Sequence, residues 1–446
     1  MSKILHSVVL DKGKCVGCTN CLKRCPTEAI RIRQGRARIL DEKCIDCGEC
    51  IRVCLHHAKV AATDPLSAIN SFKYKIALPP PTLYGQFKNL KDISSVSRGL
   101  KRMGFNDVFD VARGADIAAR AIMEKLKSPD CPRPLISSAC PAVTRLIQVR
   151  FPELIDNIVD VRAPMEIAAT MARREFCEKN RVKPEEVGCF FITPCAAKAT
   201  AIRSPIGHEK SAVDGAISMV EIYGLLSSQI RRDKGAEMNS ETDGEDHRGT
   251  ALGIGWARSG GESLALGEED ALAVDGIDNV TRVLEAIEND RLPDLKYFEG
   301  LACNGGCVGG PMVFENVFIA RNRIRKLVID LPNISVKEAV SLSDVQSLGD
   351  EIGFDKPIEP VESLKLDTDF GQALRKMDRI EEIHKKLPGL DCGSCGSPTC
   401  QALAEDIVGG YAREMDCLFL LKEQVRCMAK QMVELSELTR DKTRGF

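Results

Sequence analysis

The chain has 446 residues, which at roughly 150 residues per domain predicts about three domains and ample material for a buried core. With 62 basic against 64 acidic side chains, a net charge of -2 and 44% hydrophobic residues, composition excludes a disordered chain and a polyanion-binding surface, so nucleic acid is not an expected partner. No run of 18 apolar residues occurs, and Met1-Ser2-Lys3-Ile4-Leu5-His6 is too short and broken for a secretory signal; no membrane partner and a cytoplasmic location are expected. The informative excess is 20 cysteines clustered at short spacings in a chain too large to need disulfide stapling, which points to metal.

In chain order, the first motif is Cys15-x2-Cys18-x2-Cys21-x3-Cys25-Pro26, and each of its cysteines recurs 29 residues later in Cys44-x2-Cys47-x2-Cys50-x3-Cys54. Four thiolates at these spacings wrap a 4Fe-4S cubane, with backbone N–H groups of the tight loop aimed at the sulfurs and with Gly17 and Gly48 easing the turns. Zinc is the competing ligand, but structural zinc takes pairs of ligand pairs rather than four cysteines in eleven residues. Ala29-Ile30-Arg31-Ile32 and Ala37-Arg38-Ile39-Leu40 read as short strands, and His56 and His57 as a solvated loop pair. Residues 1–62 resemble two-cluster bacterial ferredoxins, departing where Leu55 replaces proline. The resemblance implies one cluster on Cys15, Cys18, Cys21 and Cys54 and another on Cys44, Cys47, Cys50 and Cys25.

From about residue 70, after which Pro79-Pro80-Pro81 marks the entry, strand-like and amphipathic helix-like runs alternate, which predicts α/β architecture. Leu135–Ser138 reads as a strand ending at Ala139-Cys140-Pro141, and Val187–Ile192 as one ending at Thr193-Pro194-Cys195. Both place a cysteine at a carboxyl end, where the loops of open α/β sheets form a crevice. A third element, Glu299 to Pro311, carries Cys303 and Cys307 in a glycine-rich loop that lets backbone approach an inorganic ligand. Singly, Cys140 or Cys195 reads as a buried small hydrophobe; together the four thiols are the number a further cubane needs.

Ser138-Ala139-Cys140-Pro141, Thr193-Pro194-Cys195-Ala196-Ala197-Lys198 and Glu299 through Cys307 resemble the three signatures of the FeFe hydrogenases, with support from Val108-Phe109-Asp110, Ala115-Asp116 and Val213 to Glu221. Over residues 72–365 the resemblance implies an H-cluster. Cys140, Cys195, Cys303 and Cys307 would bind its cubane, and Cys307 would bridge to a diiron unit with carbon monoxide, cyanide and azadithiolate. Lys198 would donate to a cyanide; a surface charge is the bland alternative for a lysine so placed. Thr193 and Leu301 stand where the family commonly has methionine beside the diiron unit. Where catalytic members carry a proton-passing cysteine this chain has Ala139, the stretch usually Ser-Pro-Gln-Gln is Ala163-Pro164-Met165-Glu166, and the relay serine is Val159. These losses point to slow turnover, as in members thought to be sensory.

Cys392-x2-Cys395-x4-Cys400-x16-Cys417 supplies four more thiolates, with a helix expected from Gln401 to Met415. Residues 385–420 resemble the four-cysteine iron–sulfur module of corrinoid proteins and membrane electron-transport subunits; zinc is the alternative. Over residues 421–446 and just before, Leu418, Leu421, Val425, Met428, Met432 and Leu435 recur at threes and fours. That seam packs on its own domain, makes a homodimer, or meets a partner helix. Cys131, Cys177, Cys189 and Cys427 are expected to be structurally buried, and Asn239 to His247 a solvated acidic loop.

The expected fold is α/β: a two-lobed H-cluster domain between an N-terminal two-cluster ferredoxin-like domain and a helical C-terminal iron–sulfur module. The expected function is interconversion of dihydrogen with protons and electrons, exchanged with an electron carrier such as ferredoxin or with a regulatory protein. A non-catalytic electron-transfer or assembly protein sharing the fold is the other reading.

Overall fold

Val187–Thr193 is buried along its whole length and apolar up to Ile192, as suits a strand covered on both faces. It pairs in parallel with Tyr74–Leu78 on one side and Gly215–Ser218 on the other, and Asp107–Val108 adds the far edge. Alternate residues serve opposite layers. Ala77, Phe190 and Ile192 pack with Val96 and Leu100 of the helix Ser94–Arg102 and with Ile222 and Leu226 of Met219–Asp233. Ile76, Leu78, Cys189 and Phe191 pack with Met165, Ala168, Ala172 and Phe176 of the helix Pro164–Asn180.

A second parallel sheet has the order Ala271–Asp275, Tyr297–Leu301, Leu135–Ile136. One face, with Ile136 and Phe298, meets the helices Pro141–Arg150 and Ile277–Glu288; the other, with Leu135 and Tyr297, meets Val111–Leu126. These two covered sheets are the two lobes of an α/β fold.

The computed structural model describes residues 5–88, 90, 92–233, 249–329, 331–332, 334–361, 366–367 and 369–443; the acidic stretch 239–247 lies outside them. Its two compact units do not follow chain order. The first gathers 1–9, 45–52 and 59–361 and contains both sheets, while the second gathers 10–44, 53–58 and 362–446.

In the second unit Ile30–Arg33 and Arg36–Ile39 form an antiparallel hairpin, turned by Gln34 and Gly35 at φ +52° and +69°. The helices Phe370–Lys386 and Cys400–Val408, capped by Asp369 and Thr399, close a small core of Ile380, Ile383, Leu387, Leu403 and Ala404 with Cys400 and Cys417. The helix expected to reach Met415 stops at Val408, because Gly409-Gly410 follows and Gly410 takes φ +76°. The last helix, Leu418–Thr443, leaves its seam in solvent: Leu418, Leu421, Val425, Met428, Met432 and Leu435 are all exposed. The reading that packs this seam on its own domain is thereby corrected. Cys427, on the same helix, is exposed rather than buried; Cys131 and Cys177 are half-buried, and Cys189 alone of the four lies in the core. Among the described residues no helix is long and apolar enough to cross a membrane.

Candidate metal centre between two sheets

Three strand ends converge in the first unit. Leu135–Ile136 runs toward Cys140, Val187–Thr193 toward Cys195, and Tyr297–Leu301 toward Cys303 and Cys307. Cys140 and Cys195 each occupy the N-cap of the helix that follows, Pro141–Arg150 and Ala196–Arg203, so the positive ends of two helix dipoles face the thiols. The glycine loop is drawn against the Cys195 turn: Met312 N–H donates to Pro194 O at 3.0 Å, and a Cβ on Gly310 would come within 2.4 Å of that carbonyl oxygen. Only glycine permits this approach.

All four cysteines line one cavity of about 360 Å³, together with Cys47, Lys198, Leu301 and Gly306. A second cavity of about 600 Å³ has largely apolar walls, including Pro80, Pro81, Val111, Ala139, Pro164, Met165, Phe191, Trp256 and Leu301. Cys307, Lys198, Pro194 and Leu301 line both. Four soft thiol donors around one space suit an iron–sulfur cluster. A cysteine on the wall common to both cavities suits a bridge to a second metal group. The residues present therefore fit the group that the signatures imply.

Burial pushes the Cys195 thiol up to about 11 and raises Cys303 and Cys307 as well, so ligation must displace protons. Two cations favour the thiolates. Lys198 Nζ lies 3.7 Å from Cys307 Sγ. Burial works against its ammonium, but the charges of Cys307, Cys195, Cys140 and Cys303 outweigh it and raise the pKa above the ordinary lysine value. Arg52 donates to Gly309 O at 2.6 Å, and Cys303, Glu49 and Cys47 outweigh its burial in the same way.

Thr193 is fully buried but is not among the residues lining either cavity; its hydroxyl donates to Cys195 O at 2.8 Å and fixes the turn. Val159 is likewise buried away from both, and Glu166 turns aside to accept from Ser211 Oγ and Ala212 N, each at 2.7 Å. Ala139 lines the second cavity as expected, and alanine carries no proton.

Two buried carboxyls share the wall of the second cavity: Glu299, which opens the third signature, and Glu262, which no motif announces. Glu262 accepts from Tyr297 Oη at 2.6 Å and Ser137 Oγ at 2.7 Å. Burial, then the neighbouring Glu299, raises its pKa well above the ordinary carboxylate range, which favours the protonated acid. Glu299 accepts from Gly260 N–H at 2.9 Å and from Ser263 N–H and Oγ at 2.8 Å, and burial raises it too. Ser137 Oγ also accepts from the N–H of Ala139 at 3.2 Å, tying Glu262 to the position where the thiol is missing.

In the second unit the loops behave as cluster loops do. Ala37 N–H donates to Cys15 Sγ at 3.4 Å, Ala29 N–H to Cys25 Sγ at 3.3 Å and Ala58 N–H to Cys54 Sγ at 3.2 Å. Cys395, Cys400 and Cys417 gather around the small C-terminal core, with Cys392 exposed at its edge.

Residues 74–269 and 262–311, together more than half the chain, match the family of the iron only hydrogenase large subunit, C-terminal domain. Residues 7–55 match the 4Fe-4S dicluster domain and 387–419 an Fe-S cluster family. The periplasmic Fe hydrogenase large subunit of Nitratidesulfovibrio vulgaris is 24% identical over 378 residues, covering 72% of this chain and 89% of that protein. A cytosolic Fe-S cluster assembly factor of Yarrowia lipolytica is 21% identical over 236 residues, covering 51% of this chain and 45% of that protein. A solved FeFe-hydrogenase of Chlamydomonas reinhardtii aligns with TM-score 0.47 at 17% identity, covering 65% of this chain and 94% of that one.

Proposed function

The chain belongs to the iron-only hydrogenase family, and on that premise we propose that it interconverts dihydrogen with two protons and two electrons, slowly, and serves as a dihydrogen or redox sensor. One observation carries the reading: Cys307 lines both the four-thiol cavity and the adjoining apolar cavity, with the Lys198 ammonium 3.7 Å from its sulfur. Cys140, Cys195, Cys303 and Cys307 would hold the cubane of an H-cluster, and Cys307, on the wall common to both cavities, would also serve a diiron unit carrying carbon monoxide, cyanide and azadithiolate. That unit supplies the two-electron chemistry of dihydrogen. Lys198 would offer its Nζ protons to a cyanide of that unit, Leu301 closes the wall of both cavities, and Thr193 acts through the Cys195 turn. The apolar walls keep bulk water out.

Protons take a route that the usual signature does not describe. Ala139 cannot relay them, whereas Glu262 is a buried acid on the same cavity wall, held by Ser137 and Tyr297. Its carboxyl would hand a proton into the cavity, and the Ser137 and Tyr297 hydroxyls, both donating to it, would stabilise the carboxylate left behind. A single buried carboxyl, in place of a thiol placed for the relay, is a reason for slow turnover.

Electrons leave by the ferredoxin-type clusters. Cys47 lines the four-thiol cavity, and Arg52 stands beside both Cys47 and Cys303, which favours transfer between the two thiolate sets. The partners are then an electron carrier such as ferredoxin or a regulatory protein, without nucleic acid or membrane. The exposed seam of Leu418–Thr443 pairs with a second copy of the chain. A cytoplasmic location goes with this reading, since the clustered cysteines are assigned to metal rather than to disulfides.

Isotope exchange tests hydrogen reactivity even at slow net turnover. Matured protein under deuterium gas in ordinary water should release HD. A matured sample that releases none, beside an active control hydrogenase, removes the enzymatic reading and leaves an electron-transfer or assembly protein.

A further inference from the structure

The four-cysteine module does not stand apart from the ferredoxin-type loops of its unit. Asp406, on the helix Cys400–Val408, is buried and accepts from three donors through one oxygen: Arg31 Nε at 2.6 Å, Arg33 Nη2 at 2.7 Å and Ser397 Oγ at 2.7 Å. Both arginines belong to the strand Ile30–Arg33, and the same strand donates Ile32 N–H to Gly396 O at 2.8 Å. A buried carboxylate with two guanidiniums and a hydroxyl is a fastening with fixed geometry, not a glancing surface pair.

The cluster loops themselves meet beside this clamp. Lys23, two residues after Cys21, donates its ammonium to Asp391 O and, at 3.1 Å, to Pro398 O, the carbonyls that flank the Cys392–Cys395 turn. A Cβ on Gly393 would lie 2.7 Å from Lys23 Cε and 3.0 Å from Leu22 Cδ2, and one on Gly396 would lie 2.1 Å from Ile32 O. Both glycines take positive φ, +75° and +80°. The loop is thus shaped to lie flat on the other cysteine loop, with side-chain-free backbone at each point of contact. Leu22 follows Cys21 directly and Gly393 follows Cys392 directly, so one residue on each side separates the two thiol sets.

We propose that the C-terminal four-cysteine module is a fixed third member of the ferredoxin relay, and that it exchanges electrons with the cluster of Cys15, Cys18, Cys21 and Cys54 through the contact of Leu22 and Lys23 with Gly393. In each transfer one set of iron ions loses one electron and the other gains it; no bond breaks and no proton moves. Asp406, Arg31, Arg33 and Lys23 are positioning residues that set the separation. The inference concerns the iron–sulfur relay alone and stands independently of the hydrogen chemistry.

The test uses the full chain with its iron–sulfur clusters and no diiron unit, reduced with dithionite and read by low-temperature electron paramagnetic resonance. The ferredoxin-type clusters also couple to one another, so the comparison is between native protein and Cys400→Ala, with iron analysis showing loss of one cluster. The expected result is a sharper ferredoxin signal in the variant that saturates at about tenfold lower microwave power, because a nearby fast-relaxing spin has gone. An unchanged line shape and saturation at the lower iron content overturns the proposal. If Cys400→Ala loses other clusters too, Cys417→Ser, which leaves the Cys392–Cys400 loop intact, is read by the same two outcomes.

Discussion

In the ferredoxin-like segment four cysteines fall within eleven residues of one loop, and neighbouring amides such as those of Ala29 and Ala37 point at their sulfurs. In the buried four-thiol cavity one ligand comes from the end of the Val187–Thr193 sheet and three from loops leaving the other sheet. The first kind of site depends on a few dihedral angles; the second depends on two cores holding their strands in place. A convergent site can therefore keep its ligands while single wall residues change its chemistry. Ala139, Leu301 and Glu262, the last held by Tyr297 and Ser137 behind it, are such wall residues, and on the proposed function they decide whether a site that holds metal also moves protons.

That contrast breaks most visibly at the shared cysteine. Cys307→Ser should abolish hydrogen conversion and the diiron unit altogether, while the electron paramagnetic resonance of the ferredoxin-type clusters persists; Cys18→Ser should do the reverse, leaving the diiron unit in place. Retained conversion in Cys307→Ser would contradict the bridging role.

The wall acid comes next. Glu262→Gln keeps the shape but has no acidic proton, so matured protein should lose about 100-fold in rate, the typical scale of a positioned general acid. The sign with pH follows from the raised pKa. The protonated donor is present below the raised pKa and lost above it, so proton reduction should fall as pH rises through it, at a pH well above the ordinary carboxylate range. In Glu262→Gln this inflection should vanish, which a pH–rate profile checks.

Restoring the thiol tests the same wall from the other side. Ala139→Cys should raise turnover about tenfold by adding a second donor, since general acid–base groups commonly contribute more than that when ideally placed. Unchanged or lower activity would mean that Glu262 already suffices or that another step limits, and the Glu262→Gln rate decides between them. The smallest effect is expected at the far end: a chain ending near Leu418 should keep its clusters and its rate but sediment as a monomer where the full chain is a dimer, if the exposed seam is the dimer contact.

Both local cluster loops were legible because iron–sulfur ligation writes its spacing directly into the chain. The Cys140, Cys195, Cys303 and Cys307 set was legible for another reason: Cys140 and Cys195 follow strand-like runs, whose ends converge in α/β folds, and Cys303 and Cys307 sit in a glycine-rich loop. Glu262, Ser137 and Tyr297 were not, since nothing in a sequence shows that a carboxyl on a short helix will face a hydroxyl from each of two strand regions. Arg52 belongs to no motif in the sequence, yet it stands beside Cys47 and Cys303. The overlong helix to Met415 was an error of a different sort, for Gly409-Gly410 was there to be read as a stop. The burial expected for Cys427 failed because an amphipathic stripe shows that a face is apolar and says nothing of what covers it.

Infrared spectroscopy of the anaerobically matured protein tests the central claim most directly. The account predicts bands of metal-bound carbon monoxide and cyanide that shift when dihydrogen replaces argon, and that disappear in Cys307→Ser. Absence of such bands after a maturation that succeeds on a control hydrogenase would contradict it, and would leave the two cavities of this fold without the diiron chemistry assigned to them.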